Sequence, residues 1–165
     1  MKGDVVVLKT ILVPVDGSEK GFNALKYAVG LSKDCGGKIV VSTVSLPYAF
    51  SEAAKEYVSN ISDLVTTQIP PKTKSKSGDL ITDFSKDRVL MTAKKKLARN
   101  KDLVVEYRQI IGDDPAKAIV DQAEAIKADI IVMGNRGMGQ FAEILLGSVG
   151  NKVISFAKCP VVIVK

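Results

Sequence analysis

A glycine-rich stretch near the end of the chain has the composition of an anion-binding loop. It reads Gly134-Asn135-Arg136-Gly137-Met138-Gly139, and Gly147-Ser148 follows where a helix is predicted to start. Glycines permit close backbone approach, so successive N–H groups can converge on a phosphate. A helix N-terminus adds partial positive charge, and the Ser148 hydroxyl and the Arg136 guanidinium add further donors. The composition favours phosphate binding over the alternative, an ordinary glycine-rich turn.

A second segment of unusual composition, Pro14-Val15-Asp16-Gly17-Ser18, leaves the first predicted strand. Ligands of open parallel sheets bind outside the carboxyl ends of the strands, where an acidic side chain can accept a hydrogen bond from a ribose hydroxyl. Asp16 is the candidate for this role. Helix capping alone would also explain Asp16 or Ser18, so both interpretations stay open at this point.

The composition also excludes or disfavours several kinds of site. The chain has no histidine, which removes Ser-His-Asp and Cys-His catalysis and histidine-ligated metals. Cys35 and Cys159 lie far apart and are predicted to be reduced and largely buried. No GxxxxGK[ST] phosphate loop occurs. A dinucleotide fingerprint, Gly137-x-Gly139-x-x-Ala142, follows the fourth predicted strand instead of the first, and no acidic residue occurs after Glu143, which disfavours NAD and FAD.

The formal charge of +6 and the isoelectric point of about 9.3 raise the question of nucleic-acid binding. The lysines are dispersed, apart from Lys72, Lys74 and Lys76 in a predicted loop and Lys94 to Lys96 in a predicted helix. Aromatic residues make up only 5% of the chain and do not alternate with basic ones to form a stacking platform. Solvated surfaces explain this charge better than a nucleic-acid partner does.

The opening MKGDVVVLKTILVPVDG superficially resembles a signal peptide. Asp4 and Lys9 interrupt its apolar run, and no small-residue cleavage site follows, so we interpret it as a buried strand. No apolar run approaches the roughly 18 residues expected of a membrane span. These features predict a cytoplasmic protein without a membrane partner.

Runs rich in β-branched residues alternate with helical patterns along the chain. The predicted strands are Val5–Val15, Lys38–Ser45, Leu103–Ile111, Ile130–Met133 and Val161–Val164. Helices are predicted after Ser18, over about Ser85–Asn100, after Asp114-Pro115 and from a Ser148 cap. Residues 47–82, which include Pro70-Pro71, are predicted to form a partly flexible insertion. The alternation predicts one α/β domain over residues 1–165, an open five-stranded parallel sheet with helices on both faces.

Two long segments carry a family resemblance. The segments ILVPVDGSEKGFNALKYAVGLS and ADIIVMGNRGMGQFAEILLGSVGNKVISFAKCPVVIVK resemble universal stress proteins. The ATP-binding members of that family carry Gly-2x-Gly-9x-Gly-[Ser/Thr], which Gly134, Gly137 and Gly147-Ser148 match. The resemblance covers about residues 8–46 and 103–165. It implies a Rossmann-like fold of the adenine nucleotide alpha hydrolase type.

The resemblance also implies a set of binding residues. Pro14, Val15 and Asp16 would contact adenine and ribose, and Val44 would contact adenine through its backbone. The residues expected around ribose and phosphates are Met133, Gly134, Arg136, Gly137, Gly147, Ser148 and Val149. Thr43 departs from the histidine of many members, which need not affect a backbone contact from Val44. The resemblance implies no catalytic residue and no protein ligand for a metal, since Mg²⁺ or Mn²⁺ would be held through the phosphates.

Three functions remain at the level of sequence. The leading hypothesis is an ATP-binding homodimeric switch or stress-response regulator, paired through the strand Val161–Val164 as the resemblance implies. The second is a slow ATPase or other phosphate-transferring enzyme, although no residue is an obvious candidate to orient water. The third is a structural or nucleic-acid-associated module without nucleotide, which the dispersed charge disfavours.

Overall fold

The computed structural model describes residues 8–45, 80–81, 87–135 and 146–165. Within these ranges strands and helices alternate along the chain. Their bounds in chain order are β1 Thr10–Pro14, α1 Glu19–Cys35, β2 Lys38–Ser45, β3 Leu80–Ile81, α2 Arg88–Leu97, β4 Val105–Ile111, α3 Pro115–Ala125, β5 Ile130–Gly134, α4 Ser148–Phe156 and β6 Val161–Val164.

The strands of the described residues form a single sheet in the order β3-β4-β2-β1-β5-β6. Every pair among β4, β2, β1, β5 and β6 is parallel, so the predicted five-stranded parallel sheet is confirmed. The two-residue strand β3, which was not predicted, pairs antiparallel with β4 at the edge. The order reverses at β1, because β2 lies on one side of it and β5 on the other.

Helices cover both faces of this sheet, as the near-continuous apolar strands predict. One core contains Ala24, Leu25 and Ala28 of α1 together with Leu90 and Ala93 of α2. The opposite core contains Ala116, Ile119 and Ala123 of α3 together with Val153 of α4. Alternate residues of β1 pack into the two cores. Ile11 and Val13 face the core beneath α1 and α2, and Leu12 faces the core beneath α3 and α4.

Three of the four described helices begin with a side-chain cap. The Ser18 Oγ accepts a hydrogen bond from the Gly21 N–H at 3.0 Å, which confirms the predicted start of α1. Asp87 caps α2 and Asp114 caps α3 in the same way. Gly36 ends α1 with a φ of 76°, a left-handed conformation that glycine adopts at little cost.

Several predicted boundaries differ from the observed ones. Strand β1 begins at Thr10, since Leu8 and Lys9 precede it without strand pairing and residues 5–7 lie outside the described ranges. Strand β4 begins at Val105 and not at Leu103. The thiols are less buried than predicted, because Cys35 is exposed at the end of α1 and Cys159 is half-buried. The predicted insertion over residues 47–82 lies outside the described ranges, apart from β3, and stays a prediction.

Among the described helices, none combines the length and the apolar character needed to cross a membrane.

Candidate functional site

A pocket of about 650 Å³ opens beyond the carboxyl ends of β1, β2 and β5. Because β1 leads to β2 on one side and borders β5 on the other, the connections that follow these strands diverge to opposite faces. Such a switch point is where open α/β sheets bind their ligands, and the volume lies in the range of small-molecule sites. The fold therefore positions this pocket as the candidate site.

Nine of the eleven binding residues expected from the sequence line this pocket. They come from four places in the fold, namely the end of β1, the end of β2, the end of β5 and the start of α4: Pro14, Val15, Asp16, Val44, Met133, Gly134, Gly147, Ser148 and Val149. Arg136 and Gly137 lie outside the described residues, so their expected roles stay predictions. Segments more than a hundred residues apart in the sequence thus meet in one cavity.

Asp16 orders the turn before α1 but does not cap the helix. Its Oδ1 accepts hydrogen bonds from the Ser18 N–H at 3.0 Å and the Ser18 hydroxyl at 2.6 Å, which orders the turn before α1. The helix cap itself is Ser18 and not Asp16. Among the described residues no hydrogen bond engages the Asp16 Oδ2, and the exposed side chain lines the pocket. That oxygen is available to accept a hydrogen bond from a ligand hydroxyl.

Val44 presents its backbone to the pocket because β1 is shorter than β2. Pairing with β1 ends at Ser42, whose carbonyl accepts the last bond from the Val15 N–H at 2.8 Å. Ser45 instead turns its carbonyl to the β4 side, where the Gly112 N–H donates to it. Since directions alternate along a strand, the Val44 N–H and C=O point past the end of β1. One donor and one acceptor therefore lie side by side at the pocket edge.

The start of α4 differs from the predicted one. Gly147 is the cap residue, and Ser148 is the first helical residue, so the predicted Ser148 cap is wrong. Among the described residues, no side chain caps this helix. Ser148, Val149 and Gly150 form the first turn of α4, where the N–H groups have no intrahelical acceptor. All three residues line the pocket. Three such donors, together with the helix dipole, form a suitable site for a phosphate.

Two glycines of the Gly-2x-Gly-9x-Gly-[Ser/Thr] pattern have structural roles that the sequence did not indicate. The Gly147 N–H donates to the Asn135 carbonyl at 2.9 Å and is thus committed within the backbone. At Gly134, an added Cβ would lie 2.7 Å from the Lys20 carbonyl carbon and 2.8 Å from its oxygen. Glycine at position 134 therefore allows β5 to approach the backbone of α1. Neither glycine needs a left-handed φ.

Five polar residues of the pocket were not predicted as site residues: Ser42, Thr43, Ser45, Asp87 and Asn135. Thr43 and Asp87 are joined by a side-chain hydrogen bond of 2.8 Å, although 44 positions separate them in the sequence. The only local signal at Asp87 is that of a helix cap, which gives no reason to place it in a ligand site. Their grouping depends on tertiary structure.

The start of α3 is linked to α4 beside the pocket. Lys152 Nζ lies 3.0 Å from Asp114 Oδ2, and Asp114 Oδ1 accepts a hydrogen bond from the Ala116 N–H. The hydrogen bond from Lys152, followed by those from the backbone N–H groups, holds the pKa of Asp114 below its ordinary value. Both side chains are partly exposed, so this ion pair contributes little to stability.

The doubly wound sheet and the pocket at its switch point define a Rossmann-like α/β protein with a candidate site at the carboxyl edge. The chain belongs to the universal stress protein family, whose family model matches residues 8–165. This assignment confirms the resemblance seen in the sequence.

Comparison with individual proteins agrees with this assignment. Universal stress protein MJ0531 of Methanocaldococcus jannaschii is 34% identical over 159 residues, which cover 95% of this chain and 82% of the relative. The solved structure of protein MJ0577 superposes with a TM-score of 0.68 at 28% identity and covers 97% of each chain. A universal stress protein solved in complex with cAMP has a TM-score of 0.62 at 24% identity, covering 96% of this chain and 98% of that one.

Proposed function

We propose that this universal stress protein binds ATP at the switch-point pocket and acts as a nucleotide-dependent, homodimeric switch in a stress response. The observation that carries the proposal is the start of α4, which no side chain of the described residues caps, whereas the other three described helices each have a side-chain cap. The first-turn residues of α4, whose N–H groups have no intrahelical acceptor, line the pocket, where a phosphate would accept hydrogen bonds from them.

The rest of the pocket suits the nucleoside. The Val44 backbone offers an adjacent donor and acceptor, which matches the acceptor N1 and the donor amino group on one edge of adenine. The Asp16 Oδ2 is placed to accept a hydrogen bond from a ribose hydroxyl. The family member solved with cAMP shares the fold, but at 24% identity it supports the fold alone, so the nucleotide proposal depends on these groups.

Mg²⁺ or Mn²⁺ would accompany the triphosphate and be held through phosphate oxygens. Mg²⁺ prefers hard oxygen ligands such as those of substrate phosphates. The proposal is for a cytoplasmic protein, since that compartment supplies ATP, and ATP occupancy is the signal that the switch would report.

Titration of the purified chain with Mg-ATP tests the proposal. We expect the free energy of unfolding to rise by about 2.7 kcal/mol when ATP is present at a hundredfold excess over its Kd. Calorimetry gives the Kd, and mass spectrometry of the nucleotide released after prolonged incubation gives its chemical state. Intact ATP supports a switch, whereas recovered ADP supports the slow ATPase. No stabilisation by ATP would overturn the proposal.

The homodimer would form through β6, the edge strand of the described sheet. Its four residues, Val161–Val164, are apolar and half-buried, and an apolar edge of this kind is a template for pairing with a second strand. The Asn135 N–H bonds to the Val164 carbonyl and the Ile131 N–H to the Pro160 carbonyl. Even-numbered residues of β6 therefore bond to β5, and the Ile163 N–H points outward, away from the sheet.

Replacing Ile163 with proline should disrupt the dimer while leaving the monomer folded. Proline removes only the outward N–H, so the bonds between β5 and β6 persist. We expect analytical ultracentrifugation to show a dimer for the original chain and mainly monomer for Ile163→Pro, with circular dichroism confirming the fold. Ile163→Val keeps the N–H and should stay dimeric. A dimeric, folded Ile163→Pro variant would refute pairing through β6.

A further inference from the structure

Asp87 is the most strongly oriented acidic side chain in the wall of the pocket. Its Oδ1 accepts hydrogen bonds from the Val89 and Leu90 N–H groups, both at 2.9 Å. Its Oδ2 accepts a hydrogen bond from the Thr43 hydroxyl at 2.8 Å. These three bonds come from α2 and β2, so the carboxylate is fixed between two elements of the fold.

The two oxygens of Asp87 differ in what they can still accept. A carboxylate oxygen accepts about two hydrogen bonds, and Oδ1 already accepts two from the backbone. Oδ2 accepts one bond from the described residues, so it can take a second donor. Because Asp87 and Thr43 both line the pocket, that donor can come from a ligand.

The position of β2 in the sheet determines which part of a nucleotide reaches these residues. Strands β2 and β5 are separated by β1, and two strand spacings amount to about 10 Å. The free N–H groups of α4 follow β5 and would hold the phosphates at that side. The base then lies at the β2 side, next to Val44, Thr43 and Asp87.

We propose that Asp87, oriented by Thr43, selects adenine by accepting a hydrogen bond from its exocyclic amino group. This inference rests on the proposed function and adds a determinant of base specificity to it. A base with a carbonyl oxygen at the same position would place an acceptor against the carboxylate, with no proton between them. A site built for a donor discriminates strongly against a ligand that lacks it, because its own acceptor is left unpaired.

Comparing ATP with inosine triphosphate tests this selection, since the two differ in the group at position 6 and in the proton on N1. The Val44 peptide group also senses this edge, so the contribution of Asp87 is the change in the ratio of the two affinities on substitution. We expect the original chain to bind ATP at least about tenfold more tightly. Asp87→Asn should reduce that ratio by about tenfold or more and improve binding of inosine triphosphate, because the amide can donate to the carbonyl. Asparagine retains an oxygen for the helix cap and a group that can bond to the Thr43 hydroxyl.

Asp114→Asn is the matched control. Asp114 caps α3 through the same type of backbone bonds but does not line the pocket, so its ratio of the two affinities should match the original. A ratio unchanged by Asp87→Asn, or equal affinities in the original chain, would overturn the inference while ATP binding itself survived. Absence of ATP binding in the original chain would instead overturn the proposed function. Should Asp87→Asn fail to fold, Thr43→Val, which removes the hydroxyl that orients the Asp87 Oδ2, should lower the ratio in the same direction, and an unchanged ratio in that variant would overturn the inference.

Discussion

Replacing Ser148 with proline is expected to weaken ATP binding between about tenfold and a hundredfold, the range for losing a hydrogen bond to a charged group. Proline removes the first N–H of α4, which has no intrahelical acceptor and lines the pocket. The substitution suits the backbone, since proline favours the first helical position and Gly147 has the extended ψ of 161° that a residue before proline prefers. Calorimetric titration would measure the loss.

Two comparisons make this result specific to the phosphate contact. Adenosine, which has no phosphate, should bind Ser148→Pro and the original chain equally. Ser148→Ala removes the hydroxyl but keeps the N–H, so its ATP affinity should fall less than that of Ser148→Pro. Unchanged ATP affinity in folded Ser148→Pro would mean that the start of α4 does not hold the phosphates.

Replacing Gly134 with alanine should lower the free energy of unfolding by about 1–3 kcal/mol, the usual cost of overpacking. The new Cβ would meet the backbone of Lys20 at 2.7 Å and the Gly21 N at 3.0 Å. These are main-chain atoms, so no side chain can rotate away, and α1 must move from the end of β5. Urea denaturation followed by circular dichroism would measure the change.

Gly30→Ala is the control with the opposite expected sign. Gly30 lies in the interior of α1, is exposed, and an added Cβ meets no atom within 4 Å. Alanine there should raise the free energy of unfolding by about 0.5–1 kcal/mol, because it restricts the unfolded chain and favours helix. A Gly134→Ala variant as stable as the original would show that β5 and α1 tolerate separation.

The boundaries that the sequence predicted well have local causes. Strand β2 was predicted as Lys38–Ser45 and is observed there, because Gly36 ends the preceding helix and a run of β-branched residues follows. The start of β1 was predicted too early, since an apolar run carries no signal for where a neighbouring strand stops pairing. Strand β3 has only two residues, and its partner β4 lies far along the chain. Two residues are too few to show the alternating pattern of a strand, so the sequence could not predict it.

Some residues of the candidate site could likewise be predicted from local sequence, whereas others could not. Asp16 and the Gly147-Ser148 pair were found from composition and spacing, and both line the pocket. The exact start of α4 was missed by one residue, because glycine and serine are both acceptable caps and only the backbone conformation distinguishes them. Asp87 was missed because its role depends on Thr43, which tertiary structure brings to it.

The early end of β1 has a consequence for how this protein can vary. It leaves the Val44 peptide group exposed at the pocket edge, and that group is the same for nearly every amino acid. The proposed contact to adenine would therefore survive point substitutions at position 44, proline excepted, and their cost would fall on the side chain, which packs against the core beneath α3 and α4. A one-residue deletion in β1 or β2 would instead shift the peptide register and remove the proposed contact, even if every pocket side chain were retained.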